Sequence, residues 1–367
     1  MSLAARRVMW GGTFAGILAL TFVGLFKSRG SDPILIQVGP RSIPGIMGTQ
    51  TEITAVVRAD EEELGEQAHE VAEEVLRTME SRLSVHIKQS ELGALNSAPA
   101  GQLVPMSPET VELLKRCREL TELTEGAFDP TAAPVFELWA EAGEHGRVPS
   151  PEDIRQAREQ STWDDFEFFP GESDGVMKRR DSAEVDLGAI AKGYAVDRAI
   201  EAMRSLGSTG GLVNVGGDMR FFGPRPGGDE WTIGLQDPFN PGSSEPMMRL
   251  RLPAAAVCTS GNYRRYSEVD GRRYSHIIDP RTGQPADTAP SVTVVAGDAL
   301  AADAWATALS VLGPSGLGLV EGQESVEALV VVGDENEHHL YMTSGFGELI
   351  LQSPGETMAE PPVASLP

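Results

Sequence analysis

The chain has 367 residues, a formal net charge of −24 at pH 7 and two cysteines, Cys117 and Cys258. Its length allows a large core, as one α/β domain or two closely joined ones. The acidic charge argues against a nucleic-acid-binding protein, which needs a basic surface, so a phosphate ligand would need a local metal, lysine or helix N-terminus. The cysteines fit neither a zinc site nor a disulfide framework, and their scarcity is compatible with an oxidising compartment without proving one.

The first 30 residues predict a membrane anchor. Residues 8–26 are uncharged and mostly apolar, and a helix of that length spans roughly 28 Å, close to the hydrocarbon thickness of a bilayer. We interpret residues 1–30 as an uncleaved signal anchor, with a cleaved signal peptide as the alternative. Basic residues flank both ends of the run, so the positive-inside rule does not settle its orientation. Residues 31–46, rich in proline and glycine, are predicted to be a linker or a first strand.

Residues 47–352 are predicted to form one globular domain of strands and helices. Strand patterns occur at 47–57, 177–185, 211–215, 231–235, 248–252, 291–295, 328–332 and 340–343. Helical patterns occur at 61–83, 107–123, from 151, from 186 and at 297–309. Residues 84–96 are predicted to be a polar loop, and 139–163 to be irregular apart from the short helix from 151. Residues 353–367, rich in proline, serine and glutamate, are predicted to be a disordered tail.

Two segments are candidates for phosphate and metal binding. In Asp186-Leu-Gly-Ala-Ile-Ala-Lys-Gly193 a strand ends in a small-residue turn and opens a helix, which suits a phosphate, and Lys192 would add positive charge. The glycine spacing matches neither a Walker motif nor a dinucleotide fingerprint. In the helix at 297–309, Asp303 and Thr307 project from one face, and such oxygens suit Mg²⁺. The alternatives are a surface lysine, and a threonine bonded to its own backbone beside an exposed aspartate.

A third segment, residues 258–283, suits acid–base chemistry. It begins with small hydroxyl residues and glycine, which allow a close approach to a ligand, and Asp270-Gly271 predicts a hairpin turn. The second strand leads to His276 and Asp279, which suit general acid–base catalysis at a strand end. The alternative is a surface hairpin with an incidental histidine. Earlier in the chain, residues 125–131 predict a turn that holds an exposed carboxylate, Asp129.

Five stretches, taken together and in order, closely resemble the ApbE family of FAD:protein FMN transferases. They are Met47-Gly-Thr, Gly126-Ala-Phe-Asp-Pro-Thr131, Asp186-Leu-Gly-Ala-Ile-Ala-Lys-Gly193, the 258–283 segment with His276-Ile-Ile-Asp-Pro280, and Ala302-Asp-Ala-Trp-Ala-Thr307. The resemblance spans roughly residues 47–346. It implies an ApbE-like α+β fold with mixed or antiparallel sheets, packed helices and a T-fold-related core. It also implies FAD as the substrate and Mg²⁺ as the cofactor.

The resemblance also implies roles for individual residues. The side chains of Asp303 and Thr307 and the carbonyl of Ala189 would bind Mg²⁺, and His276 would stand at the reaction centre. The residues that would contact FAD are Met47, Ala127, Phe128, Asp129, Asp186, Lys192 and Ile277. Family members commonly place a tyrosine that stacks on the flavin at the position of His86. An imidazole stacks less well, so this departure predicts weaker or altered flavin binding.

The implied reaction moves FMN from FAD to a threonine or serine hydroxyl of another protein and releases AMP. His276, oriented by Asp279, is the candidate general base for that hydroxyl. The acceptor would be a subunit of a membrane redox complex. The catalytic domain would lie on the periplasmic side of the inner membrane, held by a single span. The alternatives are an FAD pyrophosphatase, in which water replaces the hydroxyl, and a non-catalytic FAD-binding protein.

Overall fold

The computed structural model describes residues 34–351 apart from 170, 172–173, 262–265 and 270–271. Within these residues the strands are β1 (Leu35–Ile46), β2 (Thr49–Arg58), β3 (Leu103–Pro105), β4 (Phe166–Phe169), β5 (Gly175–Lys178), β6 (Gly210–Val215), β7 (Asp218–Phe222), β8 (Trp231–Leu235), β9 (Met248–Leu252), β10 (Ala255–Gly261), β11 (Tyr266–Val269), β12 (Arg272–Ser275), β13 (Ile278–Asp279), β14 (Gln284–Pro285), β15 (Ser291–Ala296), β16 (Glu327–Gly333) and β17 (His338–Met342). The helices are α1 (Glu62–Leu83), α2 (Glu91–Ser97), α3 (Pro108–Leu123), α4 (Ala133–His145), α5 (Pro151–Arg158), α6 (Ala191–Leu206), α7 (Ala299–Leu312) and α8 (Leu317–Val320).

The fold is built on one antiparallel sheet, which over the described residues has eight strands in the order β1-β2-β6-β7-β10-β15-β16-β17. Helices α1, α6 and α7 pack on one face of this sheet. The hairpin β8–β9 packs with the other face in a second apolar cluster. Strand β15 is buried along its whole length, because layers cover both of its faces. The α+β prediction is confirmed, and the sheet is antiparallel.

The N-terminal predictions have different outcomes. Of the two alternatives for residues 31–46, the first strand is confirmed and the linker is wrong over the described part of that segment, because Leu35–Ile46 is an edge strand that pairs antiparallel with β2. Its prolines are tolerated there because an edge strand leaves backbone positions that need no ladder hydrogen bond. The anchor at 1–30 and the tail at 353–367 lie outside the described residues. Within the described range, no helix combines the length and apolar character of a membrane span.

Three local predictions also need correction. Residues 133–145, partly assigned as irregular, form α4, which begins after the 3₁₀ turn Pro130–Ala132 and ends at Gly146 in the left-handed region. The predicted strand at 177–185 is confined to β5, which ends at Lys178. The buried ammonium of Lys178 donates to the carbonyls of Asn96 and Asp181 and so stabilises the turn that follows. The polar loop at 84–96 contains α2, which Ser90 caps by accepting from the amide of Gly93.

Helices α6 and α7 approach each other very closely at Gly193. A Cβ atom at Gly193 would lie 2.2 Å from the carbonyl oxygen of Ala299 and 2.8 Å from Cβ of Asp303. Both contacts are far inside van der Waals distance, so this crossing requires glycine. The last residue of the 186–193 motif is thus explained by packing between two helices.

Gly193→Ala is expected to lower the free energy of unfolding by about 1–3 kcal/mol, because α6 and α7 must move apart. Urea denaturation of the variant and the wild type measures the difference. Gly318→Ala is the matched control, since a Cβ at Gly318 in α8 meets no heavy atom within 4 Å. The control should be neutral or more stable by up to about 1 kcal/mol. Equal stability of the Gly193→Ala variant and the wild type would contradict the tight crossing.

Candidate active site

Helix α7 brings the two predicted metal-binding side chains to the turn that precedes α6. Asp303 is only 2% exposed, and its Oδ2 accepts a hydrogen bond from the amide of Gly193 at 3.0 Å. Thr307 Oγ1 lies 3.4 Å from the carbonyl oxygen of Ala189 and donates to it. The alternative of a self-bonded threonine beside an exposed aspartate is therefore wrong. Asp303 and Thr307, one turn apart on α7, therefore both bond the 189–193 segment.

Lys192 is an internal side chain rather than a surface lysine. Its ammonium forms an ion pair with Asp218 and lies 3.8 Å from Oδ1 of Asp303. Burial alone would lower the pKa of Lys192, but Asp218 and Asp303 outweigh burial, and the net shift is upward. Lys192 is therefore positively charged throughout the physiological pH range.

The sequence analysis missed Asp218, which follows a diglycine after the predicted strand at 211–215. Gly216 and Gly217 have φ angles of 70° and 108°, which reverse the chain between β6 and β7. Asp218 then begins β7 with 2% of its surface exposed. A carboxylate placed directly after a Gly-Gly turn was the available signal. The contact of Asp218 with Lys192 depends on the tertiary structure, because β7 lies beside β10, under α6 and α7.

The charges of this cluster favour a bound cation. Burial, and then the carboxylate of Asp218, raise the pKa of Asp303 to about 7, although Lys192 and the Gly193 amide act in the opposite direction. Two carboxylates and one ammonium leave negative charge uncompensated in a buried place. Oxygen donors of these types are those that Mg²⁺ prefers. The donor set of Asp303, Thr307 and the Ala189 carbonyl therefore fits Mg²⁺.

That set differs from the kind of cluster by which metal centres are usually recognised. No group of three or more His, Cys, Asp or Glu side chains within the described residues could hold a metal ion. Here one carboxylate is joined by a hydroxyl and a backbone carbonyl. Mg²⁺ commonly uses one or two protein carboxylates and completes its coordination with water and substrate phosphates, so a site with few carboxylates suits it.

The turn that carries Ala189 is held by bonds from distant segments. The amide of Asp186 donates to the carbonyl of Pro130 at 2.9 Å, and its Oδ1 accepts from the amide of Gly188 at 2.8 Å. The side chain of Asn96 pairs with both backbone groups of Val185, at 2.9 Å and 3.0 Å. These contacts link the turn to α2 and to the 126–131 segment. The sequence analysis did not identify Asn96 as a residue that holds this turn.

Residues 125–131 form a tight turn that faces the same site. Glu125 and Gly126 both have positive φ angles, and Thr124 Oγ1 accepts from the amide of Phe128 at 3.1 Å. The carboxylate of Asp129 accepts from the amide and hydroxyl of Thr131 at 2.9 Å and 2.7 Å. It is half-buried and burial raises its pKa, so the prediction of an exposed carboxylate is wrong.

A pocket joins these segments. It is lined by Ala127, Phe128, Asp129, Pro130, Phe136, Asp186, Ala189, Ile278, Pro280 and Thr307. Six of the residues assigned to the site from the sequence are among them. Ile278 rather than Ile277 lines the pocket, since the side chain of Ile277 packs in the main core. The sequence analysis did not identify Phe136 on α4, because no sequence motif there indicated a contact with the site.

The remaining predicted residues lie outside the pocket lining. His276 is exposed and follows β12; the turn at 270–271 lies outside the described residues. Both carboxylate oxygens of Asp279 accept from Arg281, so its orienting effect on His276 stays a prediction. Met47 lies at the β1–β2 turn, where its amide donates to Glu80 at 2.9 Å. His86 lies exposed in the loop before α2. Contact of Met47 and His86 with FAD also stays a prediction.

Comparison with known proteins identifies the family. A model of the ApbE family matches residues 47–330, which is more than half of the chain. The chain belongs to the ApbE family. Each of the four segments that meet around the pocket falls within this match.

Similarity to curated proteins extends over most of the ApbE domain. The chain is 34% identical over 261 residues to an FAD:protein FMN transferase of Klebsiella pneumoniae (strain 342), with 70% of this chain and 80% of that protein covered. It is 34% identical over 278 residues to an FAD:protein FMN transferase of Vibrio cholerae serotype O1, with 74% and 81% covered.

Solved structures of ApbE proteins share the fold. The ApbE protein from Thermotoga maritima superposes with a TM-score of 0.75 at 33% identity and covers 85% of this chain and 99% of that chain. The apo form of the flavinyl transferase ApbE from Pseudomonas stutzeri gives a TM-score of 0.71 at 32% identity, covering 88% and 98%. The antiparallel sheet with α1, α6 and α7 on one face is thus the ApbE architecture.

Proposed function

We propose that this protein is a magnesium-dependent FAD:protein FMN transferase. The observation that carries the proposal is that Asp303 and Thr307 both bond the 189–193 segment, beside a charged lysine and a pocket that Thr307 and Ala189 line. A pyrophosphate needs charge neutralisation and alignment for transfer more than it needs covalent chemistry. These residues would supply charge neutralisation and alignment locally. A local site is needed because the net charge of the chain is −24.

The reaction is a displacement at the FMN-side phosphorus of FAD. A hydroxyl oxygen of the acceptor protein forms a new bond to that phosphorus, the bond to the bridging pyrophosphate oxygen breaks, and AMP leaves. Lys192, fixed by Asp218, contributes a permanent positive charge beside the site. His276 takes the hydroxyl proton as general base. Its exposed position makes the imidazole accessible to an incoming protein chain. Mg²⁺ bound to Asp303, Thr307 and Ala189 would supply further charge stabilisation for the phosphoryl group.

Mass spectrometry of an acceptor peptide tests this function. The full chain in detergent is incubated with FAD, Mg²⁺ and a peptide that carries a threonine in a small-residue motif. The peptide should gain the mass of FMN less water, with one AMP released for each peptide modified. Release of AMP with free FMN and an unmodified peptide would instead support an FAD pyrophosphatase. FAD that is bound and left intact would support a non-catalytic FAD-binding protein.

We infer a membrane location from the sequence of residues 8–26, which precede the described part of the chain. We infer further that the span holds the catalytic domain on the periplasmic side of the inner membrane, next to a redox-complex subunit as acceptor. The full chain should stay in the membrane pellet after alkaline carbonate extraction, and protease added to spheroplasts should digest its catalytic domain. Recovery in the supernatant would contradict the anchor, and protection from protease would contradict the orientation.

His86→Tyr is expected to tighten FAD binding by about two- to tenfold, because a phenol ring stacks on a flavin better than an imidazole does. Flavin fluorescence titration without Mg²⁺ measures the dissociation constant. His339→Tyr on the edge strand β17 is the matched control, since it places the same ring on an exposed position and should leave the constant unchanged. An unchanged constant for the His86→Tyr variant would contradict the alignment of His86 with the stacking position.

A further inference from the structure

A second buried carboxylate ties α7 to α6, one helical turn beyond Gly193. Asp197 on α6 is 5% exposed, and its two oxygens accept from the amides of Ala299 and Leu300, both at 2.9 Å. These are the first two residues of α7. The helix also has a cap of its own, because Asp298 accepts from the amide of Ala301 at 2.8 Å. Asp197 therefore bonds α7 from a neighbouring helix, in addition to the local cap.

Strand β7 is joined to the same point. Arg220 Nη1 donates to Asp197 Oδ1 at 2.7 Å, and both side chains are largely buried. Arg220 lies two residues after Asp218, so the two side chains point to the same face of β7. The three elements that meet at Asp197 are thus those that carry Lys192, Asp303 and Asp218.

The two ties fix the position of α7 along its axis. The amide of Gly193 on α6 donates to Asp303 on α7. Four residues further along α6, Asp197 accepts from the amide of Ala299, which lies four residues before Asp303 on α7. The surface of α7 between these ties consists largely of alanine, and short side chains form shallow ridges that hold a register weakly. A slide of one residue would shift Thr307 by about 1.5 Å relative to Ala189, which Mg²⁺ coordination does not tolerate.

We propose that Asp197 is a positioning residue that sets the register of α7 against α6 and thereby the affinity of the site for Mg²⁺. The inference rests on the proposed function, since it concerns the same metal site. Asp197 touches none of the proposed ligand atoms and acts through the backbone of α7. Its loss should weaken metal binding while leaving the chemistry of the ligands unchanged.

Metal affinity is the readout that tests the inference. Mn²⁺ binding to the full chain is followed by electron paramagnetic resonance, with Mg²⁺ as competitor. Asp197→Asn should weaken Mn²⁺ binding by about 10- to 100-fold, the range commonly found for groups that orient metal ligands without contacting the metal. Transfer activity should be regained when Mg²⁺ is raised to saturation. Affinity equal to that of the wild type would overturn the inference.

Asp298→Ala is the matched control, because the hydrogen bond by which Asp298 caps the same helix end lies within α7. If Asp197 merely stabilised the end of α7, the two variants would lower Mn²⁺ affinity equally, and that result would overturn the inference. We expect less than about a twofold change for Asp298→Ala, since a local cap affects helix stability rather than register. Hydrogen exchange should also quicken at the amides of Ala299 and Leu300 in Asp197→Asn.

The variant Arg220→Met distinguishes an effect of Asp197 on the position of α7 from an effect of its negative charge on cation binding. If Asp197 acted only through its negative charge, removal of the nearby positive charge of Arg220 would strengthen cation binding, and that result would overturn the inference. The positioning role predicts weaker binding, because Asp197 loses one of its fixed partners. Should Asp197→Asn not fold, Arg220→Met alone decides between these outcomes. A wild-type chain that binds no Mn²⁺ would overturn the metal site itself, and the inference with it.

Discussion

Asp303→Asn is expected to lower the rate of FMN transfer by about 10³-fold, equivalent to about 4 kcal/mol of transition-state stabilisation. The amide oxygen of asparagine can still accept from the amide of Gly193, as Oδ2 of Asp303 does at 3.0 Å. The fold should therefore persist while the negative charge that attracts the cation is lost. Single-turnover kinetics at saturating FAD, followed by AMP release, measure the effect.

Asp298→Asn provides a control for Asp303→Asn on the same helix. Asp298 is the N-cap of α7, and asparagine is an equally good N-cap residue, so this variant should transfer FMN at the rate of the wild type. Raising Mg²⁺ should recover little of the activity of Asp303→Asn. A rate within about tenfold of the wild type would show that Asp303 carries too little transition-state stabilisation for a metal ligand.

His276→Ala is expected to slow transfer by about 10²- to 10⁴-fold, the usual range for loss of a general base. Because His276 is exposed, its removal should leave the stability of the protein and its affinity for FAD unchanged. Transfer to the acceptor peptide and FAD binding are measured on the same preparation. A selective loss of rate without a loss of affinity would identify a group that acts in the chemical step.

His339→Ala is the control for His276→Ala, because it removes an exposed histidine from β17 at the edge of the sheet. It should transfer FMN normally. A near-normal rate for His276→Ala would contradict the general-base role. The variant Asp279→Asn addresses the orienting carboxylate separately, and since Asp279 is bound to Arg281, a small effect of this change would leave His276 as a base without a carboxylate partner.

The approach of Asp303 and Thr307 to the 186–193 segment could be predicted in part, because the geometry of each segment is local. Asp303 and Thr307 are four residues apart on a helix with strong intrinsic propensity, so their common face follows from sequence spacing. The turn at 186–193 is also local, because a strand end, small residues and a helix start adjoin one another. Both of these local structures depend only on residues that are neighbours in the sequence.

The parts that could not be predicted depend on contacts between distant segments. Asp218 joins Lys192 only because β7 lies next to β10 beneath α6 and α7. The pairing of Asn96 with Val185 spans 89 residues, and no local pattern reports it. The choice between a linker and a strand for 31–46 could not be made for a similar reason, since the pairing of β1 with β2 outweighs the low strand propensity of its prolines and glycines.

The most direct test of the account is the position of the cation. Crystals of the protein with FAD and Mn²⁺ in place of Mg²⁺ would show the metal by anomalous scattering at the manganese edge. We expect a peak in contact with Asp303, Thr307 and the carbonyl oxygen of Ala189, next to the pyrophosphate of FAD. A bound FAD with its manganese peak held by other residues, or with no peak at α7, would contradict it.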